Sequence, residues 1–229
     1  MATSTAPRTS ADLVAELRQS PLGGIIDQLL ANNRVVLHDT VREIGPDVPA
    51  GVQGFTESDG AIHLVAEHLR PGTASSVLLH EAFHSGAQSL LGDAQWQQLK
   101  RRLGALYRQA QRSEGKLNEF WRQAHGRVEH AQRMGDRMSE AIAIEEFGAY
   151  AIENYERAPR TPKKWVDDLI GAIKAWLLRR FGIQVGDVTP AQLRALALAA
   201  LRASAERQAV NIPRRPIGGA ALNAEPLSV

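Results

Sequence analysis

The stretch Val77-Leu78-Leu79-His80-Glu81-Ala82-Phe83-His84 decides how this chain is read. Two histidines four residues apart, behind three aliphatic residues and separated by the uncharged Ala82 and Phe83, predict a helix with both imidazoles on one face. They stand about one turn apart and can share one ion. Glu81 lies about 100° round from His80, beside the pair and too far round to chelate with it. From there it can hold and deprotonate a water on that ion. Zinc suits neutral imidazole and accepts a tetrahedral site without redox side reactions. A shuffled chain with the same 7 histidines would contain this pattern only ~0.01 times.

Two histidines do not complete a hydrolytic zinc site, which takes three protein ligands and leaves the fourth position to water. Position 90 is Leu90, so no third histidine follows at short spacing. The chain has no cysteine, which excludes thiolate ligands, disulfides and a cysteine nucleophile and suits a reducing compartment. The remaining source is a carboxylate on a later helix, and the segment from Glu140 through Glu145 and Glu146 to Tyr150 supplies one. Carboxylates among Ile142, Ala143, Ile144, Phe147 and Ala149 are costly to bury unless a cation neutralises them. The residue pattern leaves Glu145 and Glu146 both open, with Glu140 and Glu153 next in order. Tyr150, Tyr155, His125 and His130 are the available donors for a developing oxyanion. His38, His63 and His68 read as ordinary residues, with His63 able to face a cleft from a strand.

Working outward, Ala11 to Gln19 and Ile25 to Leu30 read as short helices, and Arg34 to His38 as a strand. Gly51 to Phe55 and Ala61 to Ala66 read as two more strands, with Ser58-Asp59-Gly60 as the hairpin turn between them. The helix of the histidines starts at Thr73 or Ser75 and stops at Gly92. Residues 94–135 form two helices broken near Gly115, and 137–155 a third. Trp165, Leu169, Ile173, Trp176 and Leu177 mark an amphipathic helix that ends at Gly182. Thr189-Pro190 starts the last one, which runs to about Gln208. The fold class is therefore α+β and predominantly helical, with a small antiparallel sheet and a helical C-terminal half. The domain reading takes 1–20 as a flexible N-terminal tail, 21–157 as the core, 158–209 as a helical pair packed on it, and 210–229 as a disordered tail.

The 229 residues suffice for one domain with a real core, and the composition, 44% hydrophobic and 23% charged, is that of a globular protein. No apolar run approaches the ~20 residues of a membrane span, and no secretory signal opens the chain. Net charge is +2 but uneven. Residues 1–99 hold 5 Lys/Arg against 11 Asp/Glu, and residues 100–229 hold 22 against 14. The basic half permits a nucleic-acid partner, but its basic residues are spread through amphipathic helices and read first as solvated helix faces.

These residues resemble the gluzincin type of zinc peptidase. They are similar to the zincin-like domains of large polyvalent proteins of phages and conjugative elements. The resemblance covers roughly residues 50–205. It rests on Gly54-Phe55, Gly60 to Ala66, Val77 to His84, Ile144 to Ala149, Trp176 to Gly182 and Thr189 to Arg194. It implies a zincin-like fold and a Zn2+-dependent endopeptidase acting on a protein or peptide. Glu81 would be the general base, and Ala61 to Ala66 the edge strand that pairs with substrate. A small residue three positions after the ligand glutamate selects Glu146, with Ala149, as third ligand beside His80 and His84. An acid expected one turn after that ligand is replaced here by Tyr150, a possible transition-state stabiliser. A cytoplasmic or virion-associated phage or mobile-element protein follows. The alternatives are a nucleic-acid-associated, anti-restriction-like accessory protein and an inactive zincin that only binds.

Overall fold

The computed structural model describes residues 7–46, 48–112, 117–135 and 138–206. Eight helices are found there: α1 (Ser10–Gln19), α2 (Gly23–Ala31), α3 (Ala74–Leu91), α4 (Asp93–Gln111), α5 (Glu119–Arg133), α6 (Glu140–Arg157), α7 (Pro162–Phe181) and α8 (Pro190–Ala205). Three strands join them: β1 (Val35–His38), β2 (Gly54–Thr56) and β3 (Ile62–Val65). The chain is thus predominantly helical with one small sheet. The proposed break at Gly115 and the tail from residue 210 lie outside the described residues. Among the described residues no helix is long and apolar enough to cross a membrane.

α3 is the axis of the molecule. Its Val77, Leu78, Leu79, Ala82, Phe83 and Ala87 are buried on all sides, as expected of a helix that is apolar all round. α8 and α6 pack along it, and the sheet lies across it. Where α3 and α8 cross, a Cβ on Gly86 would come within 2.5 Å of the Ala200 Cβ, so only glycine admits this approach.

The sheet is mixed rather than antiparallel, with order β1-β3-β2. β1 runs parallel to β3 and β2 antiparallel to it. β1 and β3 are joined through residues 39–61, which carry β2, and a connection of that length lets β1 lie parallel to β3. This corrects two expectations. The sheet is not antiparallel throughout, and Ala61 to Ala66 contains the central strand, not an edge. β2 is the edge that lies against α3. Val65 N–H donates to Gln53 O at 3.0 Å and Glu57 N–H to Ala61 O at 2.8 Å. By antiparallel alternation the backbone groups of Gly54 and Thr56 then point off the sheet edge. The hairpin turn forms as read, but only Gly60 takes a positive φ, 86°. Asp59 instead accepts a bond from Ala61 N–H at 2.9 Å.

The N-terminal segment also differs from its reading as a flexible tail. Residues 10–19 form α1, opened by a capping box between Thr9 and Asp12. Leu13 and Leu17 are fully buried in the core. Thr73 occupies the cap position of α3, but its hydroxyl is turned to Arg70 O at 2.7 Å. The first free N–H of α3, at Ala74, donates instead to Glu16 of α1 at 2.7 Å, and Gly72 N–H donates to the same carboxylate at 2.9 Å. Arg8 pairs with Glu16 in turn. A carboxylate at a helix N-terminus both fills an orphan donor and meets the positive end of the dipole. Glu16→Ala should therefore cost about 1 kcal/mol in a urea melt. A loss within ~0.2 kcal/mol would show that water caps α3 equally well.

Candidate metal centre

His80 and His84 emerge one turn apart from the middle of α3, and α6 crosses them. The helical phase of α6 turns Glu146 inward and Glu145 outward. Glu146 is 6% exposed. Its Oε2 lies 3.4 Å from His80 Nε2 and its Oε1 3.2 Å from His84 Nε2. Glu145 sits on the neighbouring face, where it pairs with Lys100 at 3.1 Å. Glu140 is further out, paired with Arg108.

One potential ligand atom from each of His80, His84 and Glu146 falls within 4.8 Å of the others, so the group could hold a metal ion. The donor set fits one. His84 Nε2 and Glu146 Oε2 are buried and have no partner of hydrogen-bond geometry, although the carboxylate and imidazoles face each other. Two imidazoles and a carboxylate that converge in this way suit a borderline divalent cation.

The electrostatics agree. Burial alone would lower the His80 imidazole, but the carboxylates of Glu146 and Glu153 outweigh it and raise the group to about 10. Burial alone would raise Glu146, but the two histidines outweigh it and hold its carboxyl low. Without a metal, a proton on His80 thus stands in for the cation. Because the folded value lies above the ordinary 6.5, this proton stabilises the metal-free fold below pH 6.5 and the benefit fades as pH rises towards 10. Metal binding at pH 7.5 should expel that proton from Nε2. Calorimetry in buffers of differing ionisation enthalpy should then show about one proton released per ion. Release near zero would mean that His80 is already neutral.

Glu153, which the sequence ranks after Glu145 and Glu146 as a possible ligand, lies behind the site. It lies seven residues after Glu146, two turns along the same face of α6, and its Oε2 is 3.4 Å from His80 Nδ1. Arg127 of α5 pairs with it at 2.8 Å, and Arg157 pairs with it from the next turn. Burial alone would raise its carboxyl; Arg127, His80 and Arg157 hold it well below the carboxylate range. It therefore stays anionic and faces His80 Nδ1 at ion-pair distance on the side away from the centre, which leaves Nε2 for a metal. The resemblance placed this acid one turn after the ligand, where Tyr150 stands. The i+7 spacing of Glu146 and Glu153 was the signal that could have found it.

Tyr150 is 2% exposed. Its ring packs on His80, centroids 5.0 Å apart, with the Arg127 guanidinium 4.0 Å from its centroid. Its visible work is to wall in His80. The other donors considered lie elsewhere: the Tyr155 hydroxyl bonds to Lys164 O, and His125 packs on Tyr107.

Glu81 is half-buried beside the cluster, within the field of His80, His84 and Glu146. Thr56 of the edge strand donates its hydroxyl to Glu81 Oε2 at 3.2 Å. Burial raises its carboxyl above the ordinary range, against the pull of His80 and His84. A cleft of about 440 Å³ runs from His84 between the β2–β3 connection and α8, lined by Thr56, Ser85, Gly86, Ala200 and Ser204 among others.

His63 does not face this cleft. It lies opposite Phe55 on the sheet face turned from α3, stacks on that ring at 4.6 Å, and meets His38 Nε2 at 2.8 Å and Glu57 at 3.1 Å. His68 contacts the Gly51 N–H.

No protein-family model, curated protein or solved structure matches the chain.

Proposed function

We propose that this protein is a zinc-dependent endopeptidase of the gluzincin type. The observation that carries the proposal is the meeting of His80, His84 and Glu146 within 4.8 Å, with Glu81 beside the group and bonded to Thr56 of the edge strand. His80, His84 and Glu146 would hold the ion. When bound, zinc supplies the positive charge that lowers the pKa of water towards about 7 and polarises a scissile carbonyl.

The chain's own groups do the rest. Glu81, with its raised carboxyl, takes the proton of the attacking water and returns it to the leaving amine. Thr56 steers the Glu81 carboxylate by its hydroxyl bond. Glu153 holds His80 in one orientation through Nδ1. The free edge of β2 beside Glu81 suits an extended polypeptide, whose backbone would pair with Gly54 and Thr56. The adjoining cleft falls within the ~300–1,000 Å³ of ordinary binding sites.

The test joins two measurements on one preparation. Elemental analysis of chain purified without chelator should show about one zinc per molecule, and a peptide library should be cleaved in a chelator-sensitive way. Protein that neither carries nor takes up zinc overturns the reading. Stoichiometric zinc without cleavage would make the chain a binding module instead of an enzyme.

A further inference from the structure

Four arginines among the described residues are half-buried, and three of them meet a carboxylate. Arg8 pairs with Glu16, Arg127 with Glu153 and Arg194 with Glu156. Arg34 pairs with none among the described residues. Its Nη1 donates to Asp59 O at 3.2 Å, and its Nε is buried without an acceptor. A guanidinium partly withdrawn from water and left without an anion is costly to hold, and it gains when an anion arrives. One backbone carbonyl does not supply that charge. The Nη groups keep enough N–H donors for a carboxylate to bind in a fork.

The place of Arg34 gives this cation its meaning. It lines the same cleft as His84 and Thr56. Val35 pairs with Ile62, and Ile62 with Thr56, so β1 and Thr56 are two strand spacings apart, ~10 Å. Arg34, next to Val35, and a glutamate lying against Thr56 can close that gap between them. Asn32 Nδ2 donates to Ala205 O at 2.8 Å, which brings the last turn of α8 to the Arg34 end of the cleft. That wall is built of Ala200, Ala203 and Ser204, which are too small to fill the space. Two acids share the cleft, and both are engaged. Glu57 Oε1 lies 3.1 Å from His63 Nε2, and Asp59 Oδ1 accepts from Ala61 N–H at 2.9 Å. Neither stands at ion-pair distance from Arg34.

We infer that Arg34 selects polypeptides carrying an Asp or Glu side chain near the scissile bond, by receiving that carboxylate in the cleft. The inference rests on the endopeptidase reading for the cleavage, but not for the binding. A planar guanidinium with two Nη groups matches a carboxylate better than a point charge does. Bonds of this kind between charged groups discriminate by ~10-fold or more against a neutral side chain of the same shape.

The test separates binding from cleavage. The zinc-supplemented Glu81→Gln chain, immobilised, is offered a random decapeptide library with amidated C-termini, and the bound peptides are sequenced. Asp and Glu should be enriched at one position. Arg34→Gln in the same background should lose that enrichment, Arg34→Lys should keep part of it, and Arg34→Glu should turn it towards Lys and Arg. All three should keep the parental circular dichroism, because Arg34 gives the fold one side-chain bond. With the active chain, a selected peptide and its counterpart with glutamine for glutamate should differ in kcat/KM by ~10-fold or more. Arg34→Gln should bring the two within ~3-fold. Acid-selective binding without hydrolysis upholds the role of Arg34 and removes the peptidase reading. Hydrolysis without acidic preference, a preference that survives Arg34→Gln, or no binding at all overturns the inference. A preference that appears only when the C-termini of the library are free assigns Arg34 to a chain end and overturns it also.

Discussion

Glu81→Gln should lower peptide hydrolysis by ~10²-fold or more while leaving zinc content unchanged. Glutamine keeps the shape and can still accept the Thr56 hydroxyl bond, but it cannot take a proton from water. Glu81 is not among the three groups that converge on the centre, so the ion should stay. Rate and metal content are therefore expected to part company, and atomic absorption beside a fluorogenic peptide assay reads both. Activity within ~3-fold of the parent would remove Glu81 from the role of base. Loss of zinc together with activity would instead make it a ligand or a support of one.

Glu146→Ala should weaken zinc binding by ~10²-fold or more, and Glu145→Ala should leave it nearly unchanged. The two residues are adjacent, but their side chains leave α6 about 100° apart, so only one can face α3. Glu146 takes that face, 3.2 and 3.4 Å from the two imidazoles. Glu145 takes the face towards α4 and Lys100, where a partly exposed pair contributes ~1 kcal/mol at most. Competition with a chromophoric chelator gives both affinities. If Glu145→Ala empties the site, α6 sits one residue out of the phase described here. If both variants keep parental affinity, the centre is not a metal site of this composition.

The local parts of the centre could be read without the fold because one helix makes them. His80, Glu81 and His84 are related by helical geometry alone, and a helix has the same geometry in any protein. The limits of α3 at Gly92, of α7 at Gly182 and the start of α8 at Thr189-Pro190 were legible for the same reason. Each depends on backbone conformations that only a few residues favour. The resemblance favours Glu146 over Glu145, but both residues have small neighbours and nothing local gives a physical reason; that reason is the crossing of α6 on α3. Glu153 was hidden in the same way. Its task depends on Arg127 from α5 and on which side of His80 is open, and neither is a property of its own helix.

By itself, then, the sequence determined a helix bearing two imidazoles and a carboxylate, a second helix rich in acids within an apolar run, and a predominantly helical chain with a small sheet. These rest on contacts between residues at most about a turn or two apart, whose geometry is repeated wherever the helix forms. Only the tertiary structure decided which strand lies at the edge, because strand order depends on how the long connection from β1 through β2 to β3 is laid down, and no local pattern records that. Only it showed that Glu16, 58 positions away from Ala74, caps the helix of the histidines. And only it decided which face of α7 is inside. Periodicity shows that a helix has an apolar side, but α7 carries apolar residues on both sides, and the close approach of Gly171 to Ala191 sets the small ones inside and leaves Trp165 and Trp176 exposed.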